Sequence, residues 1–113
     1  QRKYSEALVQ FEECMKRFPQ ELIVDDATMK TGELKLLLGK HAEALEAFQA
    51  VAAAPLSILG DRAQMRIGEV YEAVLKNKGK AIEAYEQLLT KFPHSLSVDK
   101  ARMRIRILRG DVL

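Results

Sequence analysis

The 113-residue sequence has little of several residue types that would point to a particular class of protein. Its one cysteine, Cys14, excludes an internal disulfide framework and leaves the redox compartment open. It has no tryptophan, and its net charge of +2 is too small to indicate nucleic-acid binding by itself. No run of about 18 apolar residues occurs, so we expect no membrane span. A hydrophobic content of 48% predicts one small domain with its own core.

Three similar segments, each ending near a proline, recur along the chain. They align on Ala7, Ala44 and Ala81, at equal intervals of 37 residues. Counted from each alanine, the positions 0, 1, 4, 7 and 8 are apolar in all three copies, which is the spacing of one face of an α-helix. The fifteen residues are Ala7, Leu8, Phe11, Cys14, Met15, Ala44, Leu45, Phe48, Val51, Ala52, Ala81, Ile82, Tyr85, Leu88 and Leu89.

A second set of helices is predicted between the first three, aligned on Ala27, Ala63 and Ala101. An aspartate stands two residues before each alanine, where we expect it in the first turn of a helix, near the positive end of the helix dipole. These aspartates are Asp25, Asp61 and Asp99. Gly39 and Gly79 are predicted to supply the turns within repeats. The position five residues after the alanines is occupied by Gly32, Gly68 and Arg106.

These residues resemble the tetratricopeptide repeat family, whose second helix carries a small residue, an aromatic four later, a small residue and a proline. Ala81, Tyr85, Leu88 and Pro93 fit this pattern. The first copy fits through Ala7, Phe11, Cys14 and Pro19, and the second through Ala44, Phe48 and Val51, with Pro55 one residue early. Gly32 and Gly68 fit the small-residue position of the family's first helix, and Arg106 departs from it. The connectors KFPHSLSVDKA and RFPQELIVDDA resemble those of repeat proteins in the bacterial cell envelope.

The resemblance implies an all-α fold, a right-handed α-solenoid of antiparallel helix pairs with about six helices. One helix pair cannot bury its own apolar face, whereas stacked pairs share a continuous core. We expect two complete repeats flanked by two half repeats within one domain, 1–113. The predicted boundaries are half repeat 1–19, repeat 20–55, repeat 56–93 and half repeat 94–113.

The function implied by the resemblance is that of an adaptor whose first helices line a concave groove for a peptide or a partner helix. Methionine is flexible and polarizable, which suits adaptable contacts. The candidate groove residues include one methionine and one basic residue from each first helix. The predicted partner-binding residues are Met29, Lys30, Glu33, Arg62, Met65, Arg66, Glu69, Lys100, Met103 and Arg104.

Two alternatives for these residues stay open at the level of sequence. The methionines could fill the core instead of facing the groove. The basic residues could belong to a solvated surface of ion pairs, such as Arg62 or Arg66 with Glu69. A full clamp for a terminal carboxylate is rejected, because Met29 and Glu33 occupy positions where such a clamp has lysine and asparagine.

Other candidate sites carry weaker signals. Cys14 is predicted to be a buried thiol of the core, and His41 and His94 stand alone, so no metal site and no cofactor are expected. Arg109-Gly110-Asp111 matches a cell-adhesion tripeptide, but Gly110 is predicted to end the last helix. No constellation for catalysis or for nucleic-acid binding is present, so we expect neither activity.

The sequence therefore predicts a protein-interaction scaffold with a protein or peptide partner. The alternative is a self-assembly or spacer segment of a larger protein, which could associate through exposed faces of the terminal helices. No targeting signal is recognisable, which predicts that one is absent or already removed. The compartment is left open, with a bacterial envelope slightly favoured over the cytoplasm.

Overall fold

The computed structural model describes residues 2–17, 21–54 and 57–111. Within these ranges the chain forms α-helices joined by short connections, which confirms the all-α class and the six helices. A π-helical turn, Val70–Val74, continues α4. The helices are α1 (Arg2–Arg17), α2 (Glu21–Leu37), α3 (His41–Ala53), α4 (Gly60–Glu69), α5 (Lys78–Lys91) and α6 (Val98–Arg109). The chain divides into two compact units, Gln1–Gly60 and Asp61–Leu113.

In the first unit, α2 packs against both α1 and α3. The apolar face predicted for α3 is buried in full, with Phe48 at its centre. Gly32 of α2 lies directly against the ring of Phe48, since a Cβ atom placed at Gly32 would be 2.7 Å from Phe48 Cε1. The glycine therefore sets how closely these two helices approach.

In the second unit, the core is formed by α4, α5 and α6. Tyr85 and Leu88 of α5 are completely buried, and Gly68 of α4 lies against the Tyr85 ring as Gly32 lies against Phe48. Gln64 is also buried, and its side-chain amide donates a hydrogen bond to the Ala84 carbonyl at 2.9 Å. The core cluster comprises Met65, Ala81, Tyr85, Leu88, Val98, Ala101 and Ile105.

Glycines in the left-handed backbone conformation follow α2 and α6, as predicted for Gly39 and Gly110. Gly39 has a φ of 78°, and the next amide, that of Lys40, donates to the carbonyl of Lys35 at 2.8 Å, which closes the end of α2. Gly110 has a φ of 81° and ends α6, so the Arg109-Gly110-Asp111 tripeptide is the end of a helix.

The turn before α5 differs from the prediction. Gly79 lies inside the first turn of α5, and the left-handed backbone position belongs to Lys76, with a φ of 54°. Asn77 caps the helix, because its side-chain oxygen accepts from the Lys80 amide at 3.1 Å. The capping asparagine starts α5 two residues earlier than a turn at Gly79 would.

The prediction for Asp25 also needs correction, whereas those for Asp61 and Asp99 are confirmed. Asp61 and Asp99 lie in the first turns of α4 and α6. Asp25 lies in the second turn of α2, because that helix already begins at Glu21 and residues 21–24 contain no helix breaker. Cys14, through its side chain, and Pro19 and Pro55 fall outside the described part of the chain.

Candidate partner-binding surface

The ten predicted partner-binding residues all lie on first helices, and each unit is considered separately. In the first unit, α2 carries Met29, Lys30 and Glu33. In the second unit, the predicted partner-binding residues lie on α4 and α6. The α4 residues are Arg62, Met65, Arg66 and Glu69, and the α6 residues are Lys100, Met103 and Arg104.

The α2 residues form a mixed surface. Met29 and Glu33 are half-buried, and Lys30 is exposed. The Lys30 ammonium lies 3.1 Å from the carboxylate of Asp26, one helical turn earlier. Because both side chains are more than half exposed, this pair contributes little to stability and can be exchanged for contacts with a partner.

The methionines of α4 and α6 differ in their surroundings. Met65 is only 6% exposed and packs in the core cluster with Tyr85 and Leu88, so the structure removes it from the partner-facing set. Most of the circumference of α4 is buried, and the flexible thioether fills space between helices there. Met103 is 53% exposed. The sequence alternative of core filling therefore applies to Met65 and not to Met103.

Ion pairs join one basic residue of α4 and one of α6 to Glu69. Arg66 Nη1 lies 3.6 Å from Glu69 Oε1 on the same helix, and Lys100 Nζ of α6 lies 3.2 Å from Glu69 Oε2. Arg62 is exposed in the first turn of α4. The pairing of Arg66 with Glu69 agrees with the solvated-surface alternative, and it reduces the positive field that an acidic ligand would meet.

Arg104 belongs to a more buried polar cluster that the sequence analysis did not find. Tyr85 Oη donates a hydrogen bond to Glu72 Oε1 at 2.9 Å, and Arg104 Nε donates to the same oxygen at 3.0 Å. Arg104 Nη2 also donates to Glu72 Oε2, so the contact is bidentate. One carboxylate thus links α6, α5 and the turn that follows α4.

The charge states in this cluster follow from its contacts. The hydrogen bond from Arg104 lowers the pKa of Glu72, against an opposing effect of burial and with further help from Tyr85. Burial, followed by the neighbouring Glu72 carboxylate, raises the pKa of Tyr85. Glu72 is therefore held as a carboxylate and Tyr85 as a neutral phenol that can donate its proton in a hydrogen bond.

The position of Glu72 depends on the π-helical turn. The Leu75 amide donates to the Val70 carbonyl five residues back at 3.0 Å, and such a turn takes up one extra residue within a helix. Gly68 and Tyr85 are 17 residues apart, whereas Gly32 and Phe48 are 16 apart, and three residues connect the helices in both pairs. Two features of the sequence therefore accompany the role of Glu72. One is the extra residue in the second pair, and the other is a tyrosine where the first pair has a phenylalanine.

The exposed apolar surface of α6 is formed by two residues one helical turn apart. Met103 and Ile107, which is 40% exposed, stand four residues apart, and four-residue spacing places side chains next to each other on a helix. Lys100 is exposed near the beginning of the same helix. We call Met103 and Ile107 the α6 ridge.

The described residues provide no evidence for a metal site or for a membrane-spanning helix. No group of three or more His, Cys, Asp and Glu side chains in residues 2–17, 21–54 and 57–111 could hold a metal ion. His41 is the first residue of α3, and His94 lies in the turn after α5. Among the described helices, none has the length and apolar content needed to cross a bilayer.

Consecutive helices joined by short connections, with a glycine-to-aromatic contact that recurs in two helix pairs, are the arrangement of an α-helical repeat protein. Two family models, both described as tetratricopeptide repeat, match residues 1–58 and 62–95. Since the first match covers just over half of the chain, the protein belongs to the tetratricopeptide repeat family. Repeats of this family generally mediate protein–protein interactions and are typically non-catalytic. Neither a curated protein nor a solved structure matches the chain significantly.

Proposed function

We propose that this protein is an interaction scaffold that holds a peptide or helix of a partner protein against the first helices of its repeats. The observation that carries the proposal is the exposed α6 ridge, Met103 and Ile107. Within the second unit, most large apolar side chains of α4 and α6 are buried, and these two are exceptions. Exposed apolar side chains that cluster on one face are a common feature of binding sites.

The ridge offers a physically adequate contact for a short partner segment. Fully burying an exposed methionine or isoleucine contributes about 1.5–3 kcal/mol. Since Met103 is 53% and Ile107 40% exposed, covering them would contribute about half of that value each. Methionine can adapt its shape to different partner side chains. The adjacent Lys100 would orient a partner that places a carboxylate or carbonyl near the beginning of α6.

The ion pairs narrow the chemistry of the partner. Glu69 and Glu72 already bind Lys100, Arg66 and Arg104. A partner would therefore gain little from many negative charges on this face, and we expect a mainly apolar segment with at most a few acidic residues. The proposal does not include a carboxylate clamp, since Met29 and Glu33 lack the required chemistry.

The test is quantitative affinity capture from extracts of the cells that contain the protein. We expect Met103→Glu/Ile107→Glu to lose the partner that the parent retains, because two charges would be buried at the contact. Leu96→Glu is the matched control, since Leu96 is fully exposed in the connection before α6. If the double variant and the parent capture the same proteins in the same amounts, the ridge is not the binding surface.

A second candidate function, self-assembly or a spacer role, is favoured by one observation in the first unit. Tyr4 and Val9 of α1 are both large and exposed. Light scattering with size-exclusion chromatography over a wide concentration range tests this alternative. Association that Val9→Glu abolishes would favour self-assembly, whereas a monomer at all concentrations would contradict it. A setting in the bacterial envelope stays a prediction.

A further inference from the structure

The helix α6 differs from the other first helices, α2 and α4, at one position. Gly32 and Gly68 admit the aromatic ring of the helix that follows them, and Arg106 stands at the corresponding position of α6. Arg106 is exposed, and no ion pair to it is found in the part of the chain that the structure describes. This face of α6 is therefore unsuited to a second helix that inserts an aromatic ring.

An open cleft lies beside Arg106, between α5 and α6. Its volume is about 240 Å³, and both helices contribute apolar and charged side chains. Leu89 and Ile105 supply its apolar part, and three arginines of α6 line it at spacings of four and three residues, which places them on one face of the helix. The cleft is lined by Glu86, Leu89, Arg102, Ile105, Arg106, Arg109 and Asp111.

The arginines in the cleft are available to a partner carboxylate. Arg109 Nη2 lies 2.5 Å from Glu86 Oε2, and Arg102 Nη1 lies 3.8 Å from Asp99 Oδ1, with all four side chains about half exposed or more. Exposed pairs of this kind contribute about 0–1 kcal/mol, so exchanging Asp99 or Glu86 for a partner carboxylate costs little. Glu86 and Asp111 offset two of the three arginine charges, so the cleft lining keeps a net charge of +1.

We infer that the α5–α6 cleft is a docking site for an acidic amphipathic helix of a partner protein. Apolar side chains of that helix would cover Leu89, which is half-buried, and its glutamates or aspartates would bind Arg102 and Arg106. At 100° per residue, the cleft residues of α6 are centred about 130° around the helix from Met103 and Ile107. The cleft is thus a second surface, separate from the α6 ridge, and it does not depend on the function proposed for that ridge.

Two synthetic peptides of about 15 residues test the inference by fluorescence anisotropy. Both carry leucines at helical spacing, with glutamates flanking the leucines in one peptide and lysines in the other. We expect the acidic peptide to bind and the lysine peptide to bind at least about tenfold more weakly, with the affinity of the acidic peptide falling as salt is added.

Variants of the full chain locate the binding. Arg106→Glu should weaken the acidic peptide by about tenfold or more, since it replaces an attraction by a repulsion. Lys91→Glu makes the same charge change on an exposed residue of α5 that does not line the cleft, and it should change the affinity by less than about twofold. Met103→Glu/Ile107→Glu should leave this binding unchanged, which separates the result from the test of the α6 ridge. Circular dichroism verifies that each variant is folded.

Three outcomes would overturn the inference. Equal binding of the two peptides would show that charge does not select the occupant. Unchanged binding by Arg106→Glu would place the peptide elsewhere on the protein. A concentration-dependent dimer that Arg106→Glu abolishes, without binding of either peptide, would assign the cleft to a second copy of this chain.

Discussion

The helix pairs α2–α3 and α4–α5 make the same kind of close contact with different residues. In each pair a glycine of the first helix lies against an aromatic ring of the second, Gly32 against Phe48 and Gly68 against Tyr85. The phenylalanine is apolar throughout, whereas the tyrosine brings a hydroxyl group that needs a hydrogen-bond partner where it is buried. Glu72 provides that partner. The comparison teaches that one steric contact is kept while the polar chemistry around it changes.

The extra residue of the second pair is taken up within a helix and not in the connection. Val70–Val74 adopts π-helical hydrogen bonding, and the three-residue connection to α5 keeps the length of the connection from α2 to α3. This arrangement leaves the contact between Gly68 and Tyr85 intact and places Glu72 within reach of both Tyr85 and Arg104. A one-residue insertion therefore accompanies the polar cluster that links α4, α5 and α6.

The largest expected effect comes from filling a helix crossing. Gly68→Leu should destabilise the second unit by about 3–4 kcal/mol, because the new side chain overlaps the ring of Tyr85, which is fully buried and cannot withdraw. Gly32→Leu should act similarly against Phe48 in the first unit. Urea unfolding followed by circular dichroism measures the changes.

Gly79→Leu is the matched control for the helix crossing. A Cβ atom at Gly79 would meet its nearest neighbour, Asn77 Oδ1, at 3.7 Å, which is an ordinary contact. Because leucine favours helix more than glycine, we expect this variant to be unchanged or more stable by up to about 1 kcal/mol. A Gly68→Leu protein that unfolds at the same urea concentration as the parent would contradict the close approach of α4 and α5.

The two methionines give the next largest difference. Met65→Asp should cost about 3 kcal/mol, because it puts a charge among Tyr85, Leu88 and their neighbours in the core. Met103→Asp changes an exposed side chain and should stay within about 0.5 kcal/mol of the parent. Thermal unfolding of the two variants side by side measures this contrast, and equal melting temperatures would refute it.

A smaller effect is expected for the polar cluster that only the second pair has. Glu72→Gln should cost about 1–2 kcal/mol, since it weakens charge-assisted hydrogen bonds at a partly buried position. Glu86→Gln is the control, because the pair between Glu86 and Arg109 is about half exposed, and it should cost less than about 1 kcal/mol. Urea unfolding at neutral pH distinguishes the two variants.

The same cluster predicts a dependence on pH. Folding lowers the pKa of Glu72 below its ordinary value of 4.5, so the unfolded chain binds the proton more readily. The stabilisation is fully present above pH 4.5 and is lost as the pH falls through the lowered pKa of the folded protein. The difference in unfolding free energy between the parent and Glu72→Gln should therefore shrink in acid. A difference that is constant from neutral pH into acid would contradict the charged state of Glu72.

The smallest expected effect concerns a buried hydroxyl of the first unit. Thr31 is 4% exposed, and its Oγ1 has no hydrogen-bond partner in the described structure, whereas isoleucine stands at the corresponding positions 67 and 105. Thr31→Val should stabilise the first unit by about 0.5–1 kcal/mol by removing the unsatisfied group. Thr28→Val is the control without a gain, because Thr28 Oγ1 donates to the Val24 carbonyl at 2.7 Å. Precise thermal unfolding separates the two, and a loss of stability in Thr31→Val would contradict the prediction.

The sequence by itself determined the family, the helices and their apolar faces. Each residue of the fifteen-position apolar set whose side chain the structure describes is buried or half-buried. Spacing along a helix is a local property, so the period of the apolar residues is enough to identify a face. The repeated glycines and aromatics predicted the helix crossings in the same way, since the same kind of contact recurs in both pairs, at spacings of 16 and 17 residues. The domain boundaries and the groove stay predictions.

Only the tertiary structure decided which neighbour each face meets. Met29, Met65 and Met103 occupy the same place in the repeat, yet Met29 is half-buried, Met65 is in the core and Met103 is exposed. Glu72 gained its role because a π-helical turn, Tyr85 and Arg104 come together from three parts of the chain. Burial and ion pairing depend on residues distant in sequence, and no local pattern carries that information.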